Sequence, residues 1–388
     1  MTAAYFSALS AALNAAQCDV PVLVLDRDRL DHNLAVLSRQ GLPGLRVVVK
    51  SLPSLSLLDY CMGALGTRRL MSFHRPFLQQ LLARYDDVDI LLGKPLPAAA
   101  VRRVLAETPR ERVQQVQWLV DTEARLAQLL ALAREFKLRL RVNVEVNVGL
   151  QRGGVDSPAA LSRLEAAVLA APDALQLSGL MGYDAHAAKA PRPLASVGAA
   201  IARSQQRYRD FLGALRSDSG GLTLNGAGSP THRRHTANSP LNDISLGSVL
   251  VKPADFDLDD LADYEPALWI ATPVLKRRRG VRIPFLGALG SLPGRARDSL
   301  FIYGGRWMAV PACPRGMRES KLYGLSSNQQ LMTVPADCDI AVDDWAFLRP
   351  TQSEAVMLQF GDLRVFSGGA VVDRWAPLVN DQDLTNCD

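Results

Sequence analysis

Between residues 45 and 252, short β-type segments alternate with longer segments of helical periodicity, and this alternation constrains the fold more than any other feature of the chain. The strand candidates are LRVVVKS (45–51), RLMSFH (69–74), VDILLG (88–93), VQQVQWLVD (113–121), LRLRVNVEVNV (138–148), LQLSGLMGYD (175–184), GLTLNGAG (221–228) and DISLGSVLV (243–251). Stretches 53–66, 75–85, 97–107, 122–136, 157–171 and 194–217 carry apolar residues at helical spacing. Strands joined through helices run parallel to one another. Eight such units predict a (β/α)8 TIM-type barrel rather than an open doubly wound sheet, and the early crossovers lack a G-x-G-x-x-G turn.

Segment 138–148 alternates strictly. Leu138, Leu140, Val142, Val144, Val146 and Val148 take one face, and Arg139, Arg141, Asn143, Glu145 and Asn147 the other. Barrel strands are usually apolar on both faces. A polar face near a strand's C-terminal end is therefore expected to point into the lumen and line an active site. A solvent-exposed antiparallel edge strand is the alternative, and the parallel-type neighbours on either side weigh against it.

After residue 252 the pattern changes to short β-type runs with frequent turns: ALWIATPVLKRRRGVRIPFLG, SLFIYGGRWMAVPA, CDIAVDDWAFLRP and AVMLQFGDLRVFSGGAVVDRWAPL. The expected organisation is an α/β barrel over residues 35–255 and a C-terminal all-β domain over 256–388, joined by the N-terminal segment 1–34. Within that segment PVLVLD (21–26) is a ninth strand candidate, suited to the second domain's sheet.

The N-terminus, MTAAYFSALSAALNAAQCDV, lacks a basic n-region and is interrupted by Ser7, Asn14 and Gln17, so no signal peptide is expected. No apolar run is long enough to span a membrane. Cysteines at 18, 61, 313, 338 and 387 are odd in number and show no metal-type spacing, which predicts reduced thiols in a cytoplasmic protein. The net charge of +5 suits anionic substrates or phosphate groups. The run Lys276-Arg277-Arg278-Arg279 is short, has no interleaved aromatics and precedes Gly280, so it reads as a solvated turn between strands and not as a nucleic-acid site.

Three lysines, Lys50, Lys94 and Lys252, end strand candidates, where a barrel opens onto its active-site face. A partly desolvated lysine amine there is suited to imine formation with an aldehyde cofactor or a carbonyl substrate. LNGAGSPT (224–231) ends the seventh candidate. Its glycines and Ser229 offer N–H and hydroxyl donors to a phosphate, and Gly247-Ser248 offers more. Arg152, in VGLQRGGV, is placed to bind a phenolate or carboxylate oxygen. Tyr183 and His186, in MGYDAHA, offer groups for acid–base work. His74 ends the second candidate strand, and His232 and His235 lie in the loop THRRH.

Taken in order, these segments resemble the fold-type III pyridoxal-phosphate (PLP) enzymes, the alanine racemase superfamily, in its D-threonine aldolase / D-serine dehydratase branch. The resemblance runs from PVLVLDRDRLDHNL (21–34) to VVDRWAPL (371–378). VVVK places Lys50 where the family has its Schiff-base lysine. VNVEVNVGLQRGGV is similar to E-x-D-x-G-x-x-R-x-G-V, and LSGLMGYDAH to G-x-x-x-Y-x-G-H. LNGAGSPT resembles the Gly-rich phosphate loop, and NDISLGSVL the second phosphate-side segment. The resemblance implies that Lys50 forms the internal aldimine and that Arg152 lies by the cofactor's ring oxygen, with Tyr183 nearby. It implies that Gly226, Ala227, Gly228, Ser229, Gly247 and Ser248 hold the phosphate. It also implies a homodimer with a small-molecule amino-acid substrate.

Departures from the pattern bear on the reaction. Where the branch has a metal-binding P-x-H-x-C or P-x-H-x-D motif, this chain reads Pro350-Thr351-Gln352-Ser353-Glu354. An amide is a poor ligand for zinc or manganese, so no metal is expected at Gln352 and Glu354. Ser326-Ser327-Asn328-Gln329-Gln330 also lacks the upstream histidine, Asn147 replaces an aspartate, and Ala185 a glycine. The expectation is a metal-independent lyase or aldolase acting on a β-hydroxy-D-amino acid, with Glu354 or His186 as the second acid–base group. An amino-acid racemase using Tyr303 or Tyr323, a D-serine dehydratase-like ammonia-lyase, a non-catalytic PLP-binding protein and a PLP-free Schiff-base enzyme stay open.

Overall fold

The computed structural model describes residues 2–190, 196–280, 297–320, 322 and 324–379; Tyr323, Cys387 and the VRIPFLG end of one strand candidate lie outside them. From the N-terminus come a helix, Ala3–Ala15, the strand β1 (Val22–Asp26) and a second helix, Arg27–Ser38. The barrel strands follow: β2 (Leu45–Val48), β3 (Arg69–Ser72), β4 (Asp89–Leu92), β5 (Val116–Val120), β6 (Leu140–Glu145), β7 (Leu175–Gly182), β8 (Thr223–Gly226) and β9 (Asp243–Leu246). The chain divides into two compact units. One runs from the N-terminus to Val36 and from Ser248 to Pro377; the other from Leu37 to Gly247, with the chain from Leu378 onward.

In the second of these units β2 to β9 close into a barrel. Every pairing is parallel, and Leu45 opposite Ile244 joins the last strand to the first. All eight strand candidates hold a barrel strand, and the candidate 138–148 contains β6 (Leu140–Glu145), paired in parallel on both sides. The helices between them start where hydroxyl side chains cap exposed N–H groups. Thr122, Ser157 and Ser196 accept from the N–H of Arg125, Ala160 and Ala199. Their apolar faces, such as Leu126, Leu129, Leu132 and Ala133, are buried.

The lumen is more polar than the sequence predicted. The polar layer extends beyond β6 to β2, β4, β5, β8 and β9. Arg46 is fully buried, with its guanidinium forked onto Asp243 (2.9 and 2.7 Å) and bonded to Asp89 (2.6 Å). Gln117 donates to Asp89 and to Thr223 (3.0 Å), Asn143 donates to Gln117 (3.0 Å), and Asn225 donates to Asp243 (2.6 Å) and Ser245 (2.8 Å). Burial by itself raises the Asp89 pKa, but Arg46 and Arg141 outweigh it and hold the carboxyl below its usual range. Such a layer is tolerated because nearly every group in it has a partner.

Among the described residues, the other unit is built on a nine-stranded sheet containing β1. Its remaining strands are β10 (Leu268–Arg278), β11 (Arg297–Tyr303), β12 (Ala309–Cys313), β13 (Arg318–Glu319), β14 (Gln329–Pro335), β15 (Trp345–Pro350), β16 (Leu363–Ser367) and β17 (Ala370–Trp375). The order is β13-β14-β11-β10-β1-β16-β17, with β15 pairing β10 and β12. PVLVLD therefore joins this sheet, antiparallel to β10 and parallel to β16. Segment 248–255 also belongs to this unit. Ala267 N–H bonds the Val251 carbonyl, the Lys252 ammonium bonds the Tyr264 carbonyl (2.7 Å), and Arg349 bonds the Lys252 carbonyl (2.9 Å).

Two sequence readings change here. The basic run is not a turn: Lys276, Arg277 and Arg278 lie in β10, and Arg277 pairs with Asp298 (2.9 Å) and with carbonyls of Ala336, Cys338 and Ile340. The helix Ala3–Ala15 was not expected. It is capped by Thr2, and it buries Phe6, Leu9, Ala12 and Leu13 against a core that includes Trp269 and Phe347. The Tyr5 hydroxyl locks it, donating to Asp26 (2.7 Å) and accepting from Trp269 (2.8 Å). No helix of the described residues is long and apolar enough to cross a membrane.

Candidate active site

Strand β2 ends at Val48, and the chain turns into a 3-10 turn, Val49–Ser51, that carries Lys50. The amine stands 4.8 Å from the centre of the Phe73 ring, just past β3. That ring lies where a side chain at position 93 would be: a Cβ on Gly93 would fall 2.2 Å from Phe73 Cζ. Gly93 thus admits the aromatic ring beside the lysine. Sequence reasoning missed both residues, and their only signal was a place at the ends of the second and third strand candidates.

The loop after β8 approaches from the next side. Ala227 has φ of 59°, a left-handed conformation that costs a non-glycine residue strain. A Cβ on Gly228 would lie 2.6 Å from Tyr183 Cε2, so the tyrosine ring packs directly on the loop backbone. Arg152 stacks over the same ring, its guanidinium carbon 5.1 Å from the centre. The Ser229 hydroxyl accepts from the N–H of Gly247 (3.3 Å), which ties the loops after β8 and β9 together. Gly247 in turn sits against the lysine turn, since a Cβ there would meet Ser51 Cβ and the Val48 carbonyl, each at 2.9 Å. Gly226 is close-packed as well, with Leu241 and the Gly182 carbonyl inside 3 Å of an added Cβ.

These contacts bring Lys50, Gly247, Ser229, Gly228, Tyr183 and Arg152 into one continuous constellation at the C-terminal ends of the strands. Backbone left bare by glycines, a hydroxyl, a guanidinium and a lysine amine are the groups that a phosphorylated aromatic aldehyde requires, and they fit PLP. Glu145, at the end of β6, lies beside the Arg152 segment, its Oε2 3.2 Å from an added Cβ on Gly153. Burial and the neighbouring Asp121 push its carboxyl up to about 7, against the pull of Arg152.

The remaining candidates are placed by their own surroundings. His186 is on the 3-10 turn Ala185–Lys189, with Nε2 2.8 Å from an added Cβ on Gly149; burial lowers its pKa. Lys94 is exposed, and Lys252 is committed to the Tyr264 carbonyl. His74 packs edge-on against Phe77, with ring centres 5.2 Å apart. Ser248 opens the buried turn Ser248–Leu250 and belongs to the sheet unit. So do Gln352, which donates to Asp255 (3.1 Å), Glu354, which accepts from Ser353 (3.2 Å), and Tyr303, which is exposed on β11. Among the described residues no three His, Cys, Asp or Glu side chains are grouped to hold a metal ion.

His232 and His235 read as loop residues in the sequence. Both are buried: His232 Nδ1 bonds the Ser229 carbonyl (2.9 Å), and His235 Nε2 bonds Asp184 (2.7 Å).

Comparison with known proteins agrees with this fold. The family model of the alanine racemase N-terminal domain matches residues 25–254. The 3-hydroxy-D-aspartate aldolase of Paracoccus denitrificans (strain Pd 1222) is 25% identical over 360 residues, covering 86% of this chain and 89% of that protein. The D-threonine aldolase of Filomicrobium marinum superposes with a TM-score of 0.75 at 20% identity, covering 92% of this chain and 94% of its own. The D-threo-3-hydroxyaspartate dehydratase of Delftia sp. HT23 superposes with a TM-score of 0.73 at 18% identity, covering 93% and 97%. With that family model spanning more than half of its length and a barrel and a β domain of the expected kinds, the chain belongs to the alanine racemase N-terminal domain family, the fold-type III enzymes that use PLP.

Proposed function

We propose that the protein is an aldolase that cleaves a β-hydroxy-D-amino acid between Cα and Cβ, using PLP carried by Lys50 and no metal ion at Gln352. The observation that carries the reading is the contact chain from the Lys50 turn through Gly247 and Ser229 to Gly228, Tyr183 and Arg152. When bound, PLP supplies an electron sink for the charge left at Cα. Lys50 supplies the amine, held beside the Phe73 ring. Gly226, Ala227, Gly228, Ser229, Gly247 and Ser248 present N–H and hydroxyl donors to the phosphate. Arg152 offers its guanidinium fork to the ring oxygen, steadied by the face of Tyr183.

Retro-aldol cleavage also needs a base to take the β-hydroxyl proton. Gln352 stands where the branch pattern has a histidine, and its amide has no proton affinity at working pH. Glu354 is assigned this role, with His186 as the competitor. The name of the Paracoccus relative, together with this chain's net positive charge, favours a substrate whose side chain ends in a carboxylate. The reading carries with it a cytoplasmic homodimer acting on a free amino acid.

The test is the visible absorption spectrum of the purified protein and of Lys50→Ala, before and after borohydride, followed by turnover of 3-hydroxy-D-aspartate. A band that borohydride removes and the variant lacks is expected, with release of glyoxylate and glycine. Ammonia with an oxo-acid would identify a dehydratase, and an inverted substrate a racemase. The absence of any band after PLP addition would overturn the reading.

A further inference from the structure

Behind the phosphate-side loop lies a buried polar cluster that no step above uses. Asp184 follows Tyr183 in the chain and is 2% exposed. The Thr231 hydroxyl donates to its Oδ1 at 2.6 Å, and His235 Nε2 stands 2.7 Å from its Oδ2. A carboxylate oxygen is an acceptor, so the pairing is that of a His235 N–H donating to Asp184. On the far side of the ring, His235 Nδ1 is 2.9 Å from Ser239 Oγ, which itself accepts from the Leu241 N–H (3.3 Å). His235 is 3% exposed and Thr231 1%.

The cluster joins two loops that are far apart in sequence. Tyr183 and Asp184 continue β7; Gly228, Ser229, Thr231 and His235 continue β8. The N–H groups of Thr231 and His232 both bond the Gly228 carbonyl (3.0 and 2.9 Å), and His232 Nδ1 bonds the Ser229 carbonyl. One carboxylate therefore holds the residue before it, whose ring packs on Gly228, and the turn that positions Gly228 itself. The loop needs such support because Ala227 is held in a left-handed conformation. A catalytic role for the pair does not fit. The void lined by Asp184, Ser204, Tyr208 and His235 is about 10 Å³, room for one water at most.

We propose that His235, acting through Asp184, is a positioning residue for the cofactor, locking the Tyr183 turn to the Gly228–Ser229 loop so that ring-side and phosphate-side contacts are set as one unit. The inference rests on the assignment of that loop to PLP. Without the histidine donor, a buried carboxylate is left short of a partner and releases both loops.

The test is titration of PLP into cofactor-free protein, read by quenching of protein fluorescence and by the visible circular dichroism of the bound cofactor. The variants are His235→Leu, His235→Gln and Asp184→Asn. Loss of a hydrogen bond to a charged group predicts PLP affinity about ten- to a hundredfold weaker in His235→Leu, with a smaller visible dichroism per bound cofactor. His235→Gln keeps an N–H donor for Asp184 and is expected to restore both readings, whereas Asp184→Asn is expected to behave like the leucine variant. If His235→Leu does not fold, the contrast between His235→Gln and Asp184→Asn decides. Wild-type affinity and dichroism in a folded His235→Leu or Asp184→Asn variant would overturn the positioning role and leave the PLP reading intact. Failure of the wild-type protein to bind PLP would overturn the site assignment itself.

Discussion

Tyr183 occupies the volume that a side chain on Gly228 would need: an added Cβ would stand 2.6 Å from the ring's Cε2. The phenol ring and the phosphate-side backbone are thus in direct contact, and Arg152 lies over the same ring. Gly228→Ala must push the ring or the loop aside. PLP affinity is expected to fall at least about tenfold, and Tyr183→Ala in the same chain to recover part of it. An unchanged dissociation constant for Gly228→Ala would show that the contact has no part in binding.

Glu145 gives the protein a pH dependence of a definite sign. Its carboxyl is raised from 4.5 to about 7, chiefly by burial and then by Asp121. Between those values the folded protein holds a proton that the unfolded chain has lost, so stability declines as pH rises through that window. Glu145→Gln removes this loss. Allowing for partial solvent access, the variant should gain about 1–2 kcal/mol over wild type between pH 5 and pH 8. Urea unfolding at the two pH values checks it, and parallel profiles would contradict the assignment.

Arg46 is the fully buried counter-charge to Asp243 and Asp89. Arg46→Leu leaves Asp243 in the barrel without its main partner, at a cost of about 3–5 kcal/mol. For a unit of this size that lowers the melting temperature by at least about 6 °C. Asp89 is held below the usual carboxylate range by Arg46 and Arg141 against its burial. Its contribution is therefore present above the ordinary carboxylate pKa and lost as pH falls through the lowered value. The difference between variant and wild type should shrink in acid; a difference that stays constant would show that ion pairing is not its source.

Glu354→Gln tests the base assignment. Turnover of 3-hydroxy-D-aspartate is expected to drop about a hundredfold, the usual worth of a general base, while the visible cofactor band is retained. Full activity would move the role to His186, and His186→Asn is the paired measurement.

Tyr5 fastens the first helix through Asp26 and Trp269. Tyr5→Phe removes a hydrogen bond to a carboxylate, worth about 1.5–3 kcal/mol. The earliest event in its thermal unfolding should be exposure of the Trp269 environment, read by tryptophan fluorescence. An unshifted fluorescence transition would count against the lock.

Periodicity marked the barrel because its strands and helices are local features. Each of 45–51, 69–74 and 88–93 is short, apolar and followed by an amphipathic helix, and a parallel strand buried on both sides has to read that way. Lys50, Tyr183 and Gly228 stand out as candidates in the sequence because each follows a strand end within two residues, and Arg152 because it follows the polar strand β6. The first helix does not, because Phe6, Leu9 and Leu13 are spread through an alanine-rich stretch that sets them little apart.

The sequence by itself determined the alternating architecture, the β character of the C-terminal part and the lysine at the end of the first barrel strand, all consequences of local pattern and chain order. Only the tertiary structure decided which distant side chains meet. His235 lies 51 residues from Asp184, and Arg46 lies 197 residues from Asp243. No local preference encodes either pair, because a charge or an imidazole is stable in the interior only once the closed barrel has brought its partner within hydrogen-bonding distance.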